Sequence, residues 1–185
     1  MTQKIHGFPP VLGISPRVLI IGSMPSVQSL KNRQYYGHPR NHFWRILFQV
    51  LDKPLPAEYD RRLDEIKKSK IALWDALGEC RREGSLDHAI EDEVYNDVAG
   101  LLIDNPSIRL VVFNGLKAEK AFWQGARGFL PDSSGTTGGL DSLKNRCVFL
   151  RLPSTSPIPT RYYKTADDKF DSWKIIADYL DGVEE

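Results

Sequence analysis

Residues 17–22 read Arg-Val-Leu-Ile-Ile-Gly, a short run of apolar, partly β-branched residues that stops at a glycine. Three later stretches repeat the pattern. They are Lys70–Trp74 (KIALW), Arg109–Phe113 (RLVVF, followed by Asn114-Gly115) and Cys147–Leu152 (CVFLRL, followed by Pro153). Continuous apolar runs of this length suit parallel strands covered on both faces. Between and after them, apolar residues recur at helical spacing over Asn41–Leu51, Tyr59–Lys68, Val94–Asp104, Leu116–Gln124 and Asp167–Leu180. Strands alternating with helices predict an α/β protein of three layers, α/β/α, around a central four-stranded parallel sheet. At 185 residues the chain is expected to form one domain over 1–185.

Composition narrows the field. Hydrophobic residues at 41% and charged residues at 26% are ordinary for a globular protein. The formal net charge of +1 excludes a large uniform basic field, so any nucleic-acid face must come from local clustering of Arg33, Arg40, Arg151, Arg161 and Lys164. Cys80 and Cys147 lie far apart and form no CxxC. That excludes a four-cysteine iron–sulfur site within the chain and fits a reducing compartment. Cys147, at the head of an apolar run, reads as a buried small hydrophobe. Residues 1–16 carry no apolar signal core, and no segment approaches the roughly 20 apolar residues of a membrane span. Cytoplasmic residence is the expectation.

Open parallel sheets bind ligands in the loops at the carboxyl ends of their strands. Three such loops carry unusual residues. The first runs Gly22-Ser-Met-Pro-Ser-Val-Gln-Ser-Leu30 and continues Gln34-Tyr-Tyr-Gly-His-Pro-Arg-Asn-His-Phe-Trp44. It lacks the lysine and glycines of a phosphate loop. Ser23 and Ser26 offer hydroxyl or backbone donors, and Tyr36 beside Gly37 is a candidate stacking platform for a base, or simply a packing residue. Asn41 stands where a helix begins, so it is a candidate cap as well as a candidate reactive amide. His38 and His42 are four apart, but Pro39 intervenes and no third ligand is evident, so no metal is expected.

The second loop is Asn114-Gly115, either a turn residue or an amide that offers donor and acceptor to a base edge. The third, Leu152-Pro-Ser-Thr-Ser-Pro-Ile-Pro-Thr-Arg161, is stiffened by prolines. It reads as a rigid surface loop or as a wedge. In the second case Ser154, Thr155 and Ser156 grip phosphates, Pro157 stiffens the DNA-contacting turn, Ile158 enters the base stack, and Arg161 sits near the backbone.

In this order on this sheet, the three loops resemble the uracil-DNA glycosylase superfamily, and most closely its hypoxanthine-DNA (deoxyinosine) glycosylase branch. The resemblance runs from about Arg17 to the last helix. Its most specific piece is Gly22-Ser-Met-Pro-Ser together with Tyr35-Tyr-Gly-His-Pro-Arg-Asn-His-Phe-Trp44. Met24 occupies the place where relatives carry a catalytic asparagine, and a thioether cannot orient water as an amide can. The resemblance therefore implies that the catalytic amide is Asn41. It implies base contacts at Tyr36, Asn114, Ser23 and Met24, and DNA contacts at Ser26 and along 154–158 with Arg161. The segment 78–87 (GECRREGSLD) also resembles this branch without an assigned role, and Asp75 and Asp87 near its ends read as exposed-helix or cap residues.

The implied activity is hydrolysis of the N-glycosidic bond of a deaminated base in damaged DNA, without strand cleavage, cofactor or metal, by a protein expected to act as a monomer. Three alternatives stay open: a uracil or G·T/U mismatch glycosylase, a non-catalytic DNA- or nucleotide-binding domain, and a flavodoxin-like mononucleotide binder.

Overall fold

A computed structural model describes residues 4–129 and 139–182. The four apolar runs form strands β2 (Val18–Gly22), β3 (Ile71–Asp75), β6 (Leu110–Asn114) and β7 (Val148–Leu152). They pair in parallel in the order β3-β2-β6-β7. Side chains alternate between the two faces of a strand. Leu19 and Ile21 accordingly join a core with Val98, Leu102, Ala118 and Phe122, while Val18 and Ile20 join another with Phe43, Leu47, Ile66 and Trp173. Helices α4 (Val98–Asp104), α5 (Leu116–Phe129) and α6 (Leu140–Arg146) cover the first face. Helices α2 (Phe43–Val50), α3 (Tyr59–Lys68), α7 (Asp167–Trp173) and α8 (Ile175–Asp181) cover the second. The three-layer α/β/α expectation thus holds, with both cysteines buried inside it.

Several elements depart from the expectation. The apolar spacing that suggested a helix from Val94 is interrupted. Residues Ile90–Tyr95 are instead strand β5, and the helix starts only after Asp97, whose carboxylate accepts the Gly100 N–H at 2.7 Å. With β1 (Lys4–His6) and β4 (Leu77–Arg82), β5 builds a second, antiparallel sheet in the order β1-β4-β5. A short helix α1 (Val27–Asn32) occupies part of the first loop, and the last helical stretch is divided at Lys174 into α7 and α8.

Candidate functional site

The first, second and third loops meet at the carboxyl edge of the parallel sheet, and Thr155 is where they join. Its backbone N–H donates to Asn114 Oδ1 at 2.8 Å, and its hydroxyl oxygen accepts from Asn114 Nδ2 at 2.9 Å. Its carbonyl accepts the His42 N–H at 3.0 Å. Gly115 makes the approach possible. It adopts φ +94°, where a Cβ would be strained, and that Cβ would lie 2.8 Å from Ser154 Cβ. From below, α7 holds the third loop. Trp173 Nε1 donates to the Pro153 carbonyl at 3.0 Å, and the buried Lys169 ammonium donates to the Ser156 carbonyl at 2.8 Å.

Asn41 sits one residue before His42, beside this junction. Its Oδ1 accepts the Phe43 N–H at 2.9 Å, so although His42 is the cap residue of α2, the Asn41 oxygen holds the first N–H of that helix. Its Nδ2 has no hydrogen-bond partner among the described residues and is not among their buried unpartnered atoms. One residue can therefore do both jobs: the carbonyl oxygen anchors the start of α2, and the N–H₂ remains available as a donor.

Tyr36 packs flat on Phe43, with ring centroids 3.7 Å apart and planes 17° apart. One face of its ring is therefore already occupied. Its backbone is left-handed (φ +53°), an uncommon conformation for an aromatic residue. The Tyr36 hydroxyl is buried without a hydrogen-bond partner and sits 3.1 Å from where a Cβ on Gly22 would be. Burial pushes the phenol pKa up, as does the nearby Asp75 charge, while the Asn114 amide acts in the opposite direction. Tyr35 takes the packing role, 4% exposed, its hydroxyl donating to the Phe8 and Pro9 carbonyls.

Asp75 overturns its reading as an exposed or capping residue. It ends β3 at 3% exposure, against Gly22, where a Cβ would overlap Asp75 Oδ1. Oδ2 has no partner among the described residues. Burial raises the carboxyl pKa to about 7, against the opposing pull of Arg82 and with support from Asp87. Sequence reasoning missed this carboxyl because a lone Asp after an apolar run looks like a turn residue.

The segment 78–87 now has a role: it clamps the first loop. Arg82 donates to the Pro25 carbonyl, Ser85 Oγ accepts the Val27 N–H at 3.0 Å, and Asp87 Oδ1 accepts from the Ser23 hydroxyl at 2.9 Å. Ser23 is thus tied to Asp87 at the rim.

Three further expectations need correcting. Met24 is 7% exposed and packs with Leu19, Ile21 and Phe113, so its side chain faces the core rather than a base. Ser26 caps α1: its Oγ accepts the Ser29 N–H at 3.1 Å and donates to Ser29 Oγ at 3.0 Å, so its hydroxyl is engaged within the first turn of that helix. Thr155 is fully buried and bonded to Asn114, so it is a junction and not a phosphate grip.

The neighbours of Thr155 differ. The Ser154 and Ser156 oxygens accept from the backbone N–H groups of Ser156 and Ile158 within their own loop, at 3.2 and 3.3 Å. Their hydroxyl protons remain able to donate. Pro157 is half-buried, Ile158 is 53% exposed at the loop tip, and Arg161 is exposed with its guanidinium 5.6 Å from the Tyr162 ring. His38 Nδ1 accepts the Arg40 N–H and His42 Nδ1 faces Lys169. Among the described residues no group of three metal-ligating side chains occurs.

The assembled rim therefore offers two side-chain amides, an aromatic ring on a fixed stack, small hydroxyl donors and an exposed apolar tip. Comparison with known proteins gives the family. The sequence pattern of the uracil DNA glycosylase superfamily matches residues 9–179. The chain is 42% identical over 117 residues to a hypoxanthine DNA glycosylase of Methanosarcina barkeri, covering 63% of this chain and 74% of that one. It is 43% identical over 114 residues to a protein of the same description from Methanosarcina acetivorans, covering 61% and 72%. Among solved structures, an NMR structure of a candidate uracil DNA glycosylase from Methanosarcina acetivorans superposes with a TM-score of 0.75. It is 32% identical and covers 97% of this chain and 99% of that one. On sequence and fold together, the chain belongs to the uracil DNA glycosylase superfamily.

Proposed function

We propose that this protein is a monofunctional DNA glycosylase that releases hypoxanthine from deoxyinosine in DNA. The observation that carries this reading is the junction at one sheet edge where Thr155 bonds the Asn114 side chain and the backbone N–H of His42, next to Asn41, with Tyr36 stacked on Phe43. The two hypoxanthine DNA glycosylases similar to this chain supply the choice of base.

A base inside a duplex is out of reach, so the target nucleotide must be flipped, at a cost of a few kcal/mol. Ile158 fills the gap left in the stack, and the Ser154 and Ser156 hydroxyls hold the flanking phosphates with Arg161 nearby. The base stacks on the Tyr36 ring face opposite Phe43. Bond cleavage leaves an oxocarbenium-like sugar and an electron-rich base. Asn114, whose Nδ2 has a second N–H beyond the one given to Thr155, donates to the departing base. Asn41 Nδ2 donates to the attacking water and fixes it near C1′; the base leaves with the electron pair of the C1′–N bond, and the water proton passes to solvent as the C1′–O bond forms. An amide is no general base at neutral pH, so this contribution is positional. The DNA partner, the absence of a cofactor requirement, action as a monomer and cytoplasmic residence belong to the same reading. No helix among the described residues is long and apolar enough to cross a membrane.

A uracil or mismatched-thymine glycosylase is the second reading, favoured by the superfamily itself. The buried Met24 thioether counts against a water-orienting amide at that position. An oligonucleotide panel containing deoxyinosine, deoxyuridine, deoxyxanthosine and G·T separates the two. Hypoxanthine release far above the rest is expected, and dominant uracil or thymine release would transfer the assignment.

A further inference from the structure

Lys169 is a buried cation that the reaction above does not use. It lies on α7 at 2% exposure, where a lysine must find partners or lose its charge. It has two partners: the Ser156 carbonyl at 2.8 Å and His42 Nδ1 at 3.3 Å. Burial lowers the Lys169 pKa against the opposing charge of Asp168; as an ammonium it has donors only, and the His42 nitrogen facing it is then the acceptor. The imidazole is therefore neutral, with its proton on Nε2. Burial lowers the His42 pKa, and Lys169 and then Arg45 lower it further against the weaker opposing effect of Asp167. Nε2 has no hydrogen bond among the described residues and is absent from their buried unpartnered atoms, so it is open at the surface. His42 adjoins Asn41, and its own N–H holds Thr155 of the third loop.

We propose that His42 is a further DNA-contacting residue, its Nε2–H donating to a backbone phosphate beside the flipped nucleotide, and that Lys169 is the positioning residue that fixes this tautomer. The inference rests on the DNA-glycosylase reading for its ligand, but the ring chemistry does not. A neutral donor adds a hydrogen bond without releasing a counterion, unlike a lysine or arginine contact, which contributes to the salt dependence of binding. It also fixes orientation without adding to non-specific attraction, which suits a chain of net charge +1.

Two measurements test the proposal. Nitrogen-15 NMR of the imidazole at pH 7 should show the Nε2–H tautomer, and Lys169→Met should give a mixture of tautomers. Binding is followed by fluorescence anisotropy with a duplex carrying a tetrahydrofuran abasic-site analogue, over a series of salt concentrations. His42→Ala should weaken binding about 10-fold or more, as for loss of a hydrogen bond to a charged group, with the salt slope unchanged. His42→Gln, which can place an N–H near the same point, should recover most of it. A His42 ring carrying its proton on Nδ1, wild-type binding by His42→Ala, or a salt slope reduced by about one in His42→Ala would overturn the proposal. If His42→Ala fails to fold, the tautomer and the His42→Gln salt slope still decide. Intact tautomer and binding in a protein that releases no hypoxanthine would count against the glycosylase reading and leave this one standing.

Discussion

Asn114 and Thr155 clasp each other through two hydrogen bonds, side-chain amide to hydroxyl and backbone N–H to side-chain carbonyl, across 41 residues of sequence. The clasp links the tip of β6 to the loop that follows β7. It also orients Asn114, because the bond to the Thr155 N–H identifies which side of the amide is oxygen. Thr155→Val keeps the shape and removes the hydroxyl, leaving an Asn114 donor without its acceptor. The expected cost is about 1–2 kcal/mol in urea denaturation, accompanied by slower base release because the amide can turn. Unchanged stability and rate would mean the clasp is incidental.

Gly22 has no room for a side chain. A methyl there would overlap Asp75 Oδ1 and press on the Tyr36 hydroxyl. Gly22→Ala should cost about 1–3 kcal/mol, the usual range for overpacking, and displace Tyr36 enough to slow base release. The same substitution should cost less in an Asp75→Ala background, since contacting sites are not additive. Calorimetry of the four proteins in this cycle checks the coupling.

Asp75 makes stability depend on pH in a definite direction. Its folded pKa of about 7 lies above the ordinary aspartate value, so between the two the folded state holds a proton that the unfolded chain has released. Stability from this group is therefore full at low pH and falls as pH rises through that window. Asp75→Asn removes the effect. The stability of the variant relative to wild type should rise between pH 5 and pH 8, by a few kcal/mol at most. A difference that stays flat over that range would show that Asp75 is already ionised at pH 5.

Ile158 separates folding from function. Its side chain is 53% exposed, so Ile158→Ala should leave stability within about 0.5 kcal/mol. Base release from a deoxyinosine duplex should fall about 10-fold or more, since the unstacked state loses its plug. Release from single-stranded deoxyinosine should change much less. Equal losses on both substrates would contradict the wedge role.

The legibility of this fold follows from the physics of each element. The four parallel strands are continuous apolar runs because both of their faces are covered, and such runs stand out in a sequence. The antiparallel sheet does not. β1 is three residues long, β4 reads Leu-Gly-Glu-Cys-Arg-Arg, and β5 is acidic, with register shifts along the β4–β5 pairing that break a period of two. Val94 also lay at helical spacing from Val98, and only the Asp97 cap decides where the helix begins. At the site, residue types pointed to Asn41, Tyr36 and Asn114. The inward orientations of Met24 and Thr155 depend on tertiary contacts, and so do the burial of Asp75 and of Lys169. A lysine on an amphipathic helix reads as solvated unless something distant supplies its partners, as Ser156 and His42 do here.

In the proposed reaction the free N–H₂ of Asn41 directs water to the sugar. Abasic-site formation on a deoxyinosine duplex, compared between wild type and Asn41→Asp, tests it most directly, because aspartate keeps an oxygen for the cap at the Phe43 N–H and removes the donor. The prediction is ready release by the wild type and a loss of about 100-fold or more in the variant, with the melting temperature preserved. Full base release by a folded Asn41→Asp protein would exclude that role for the amide.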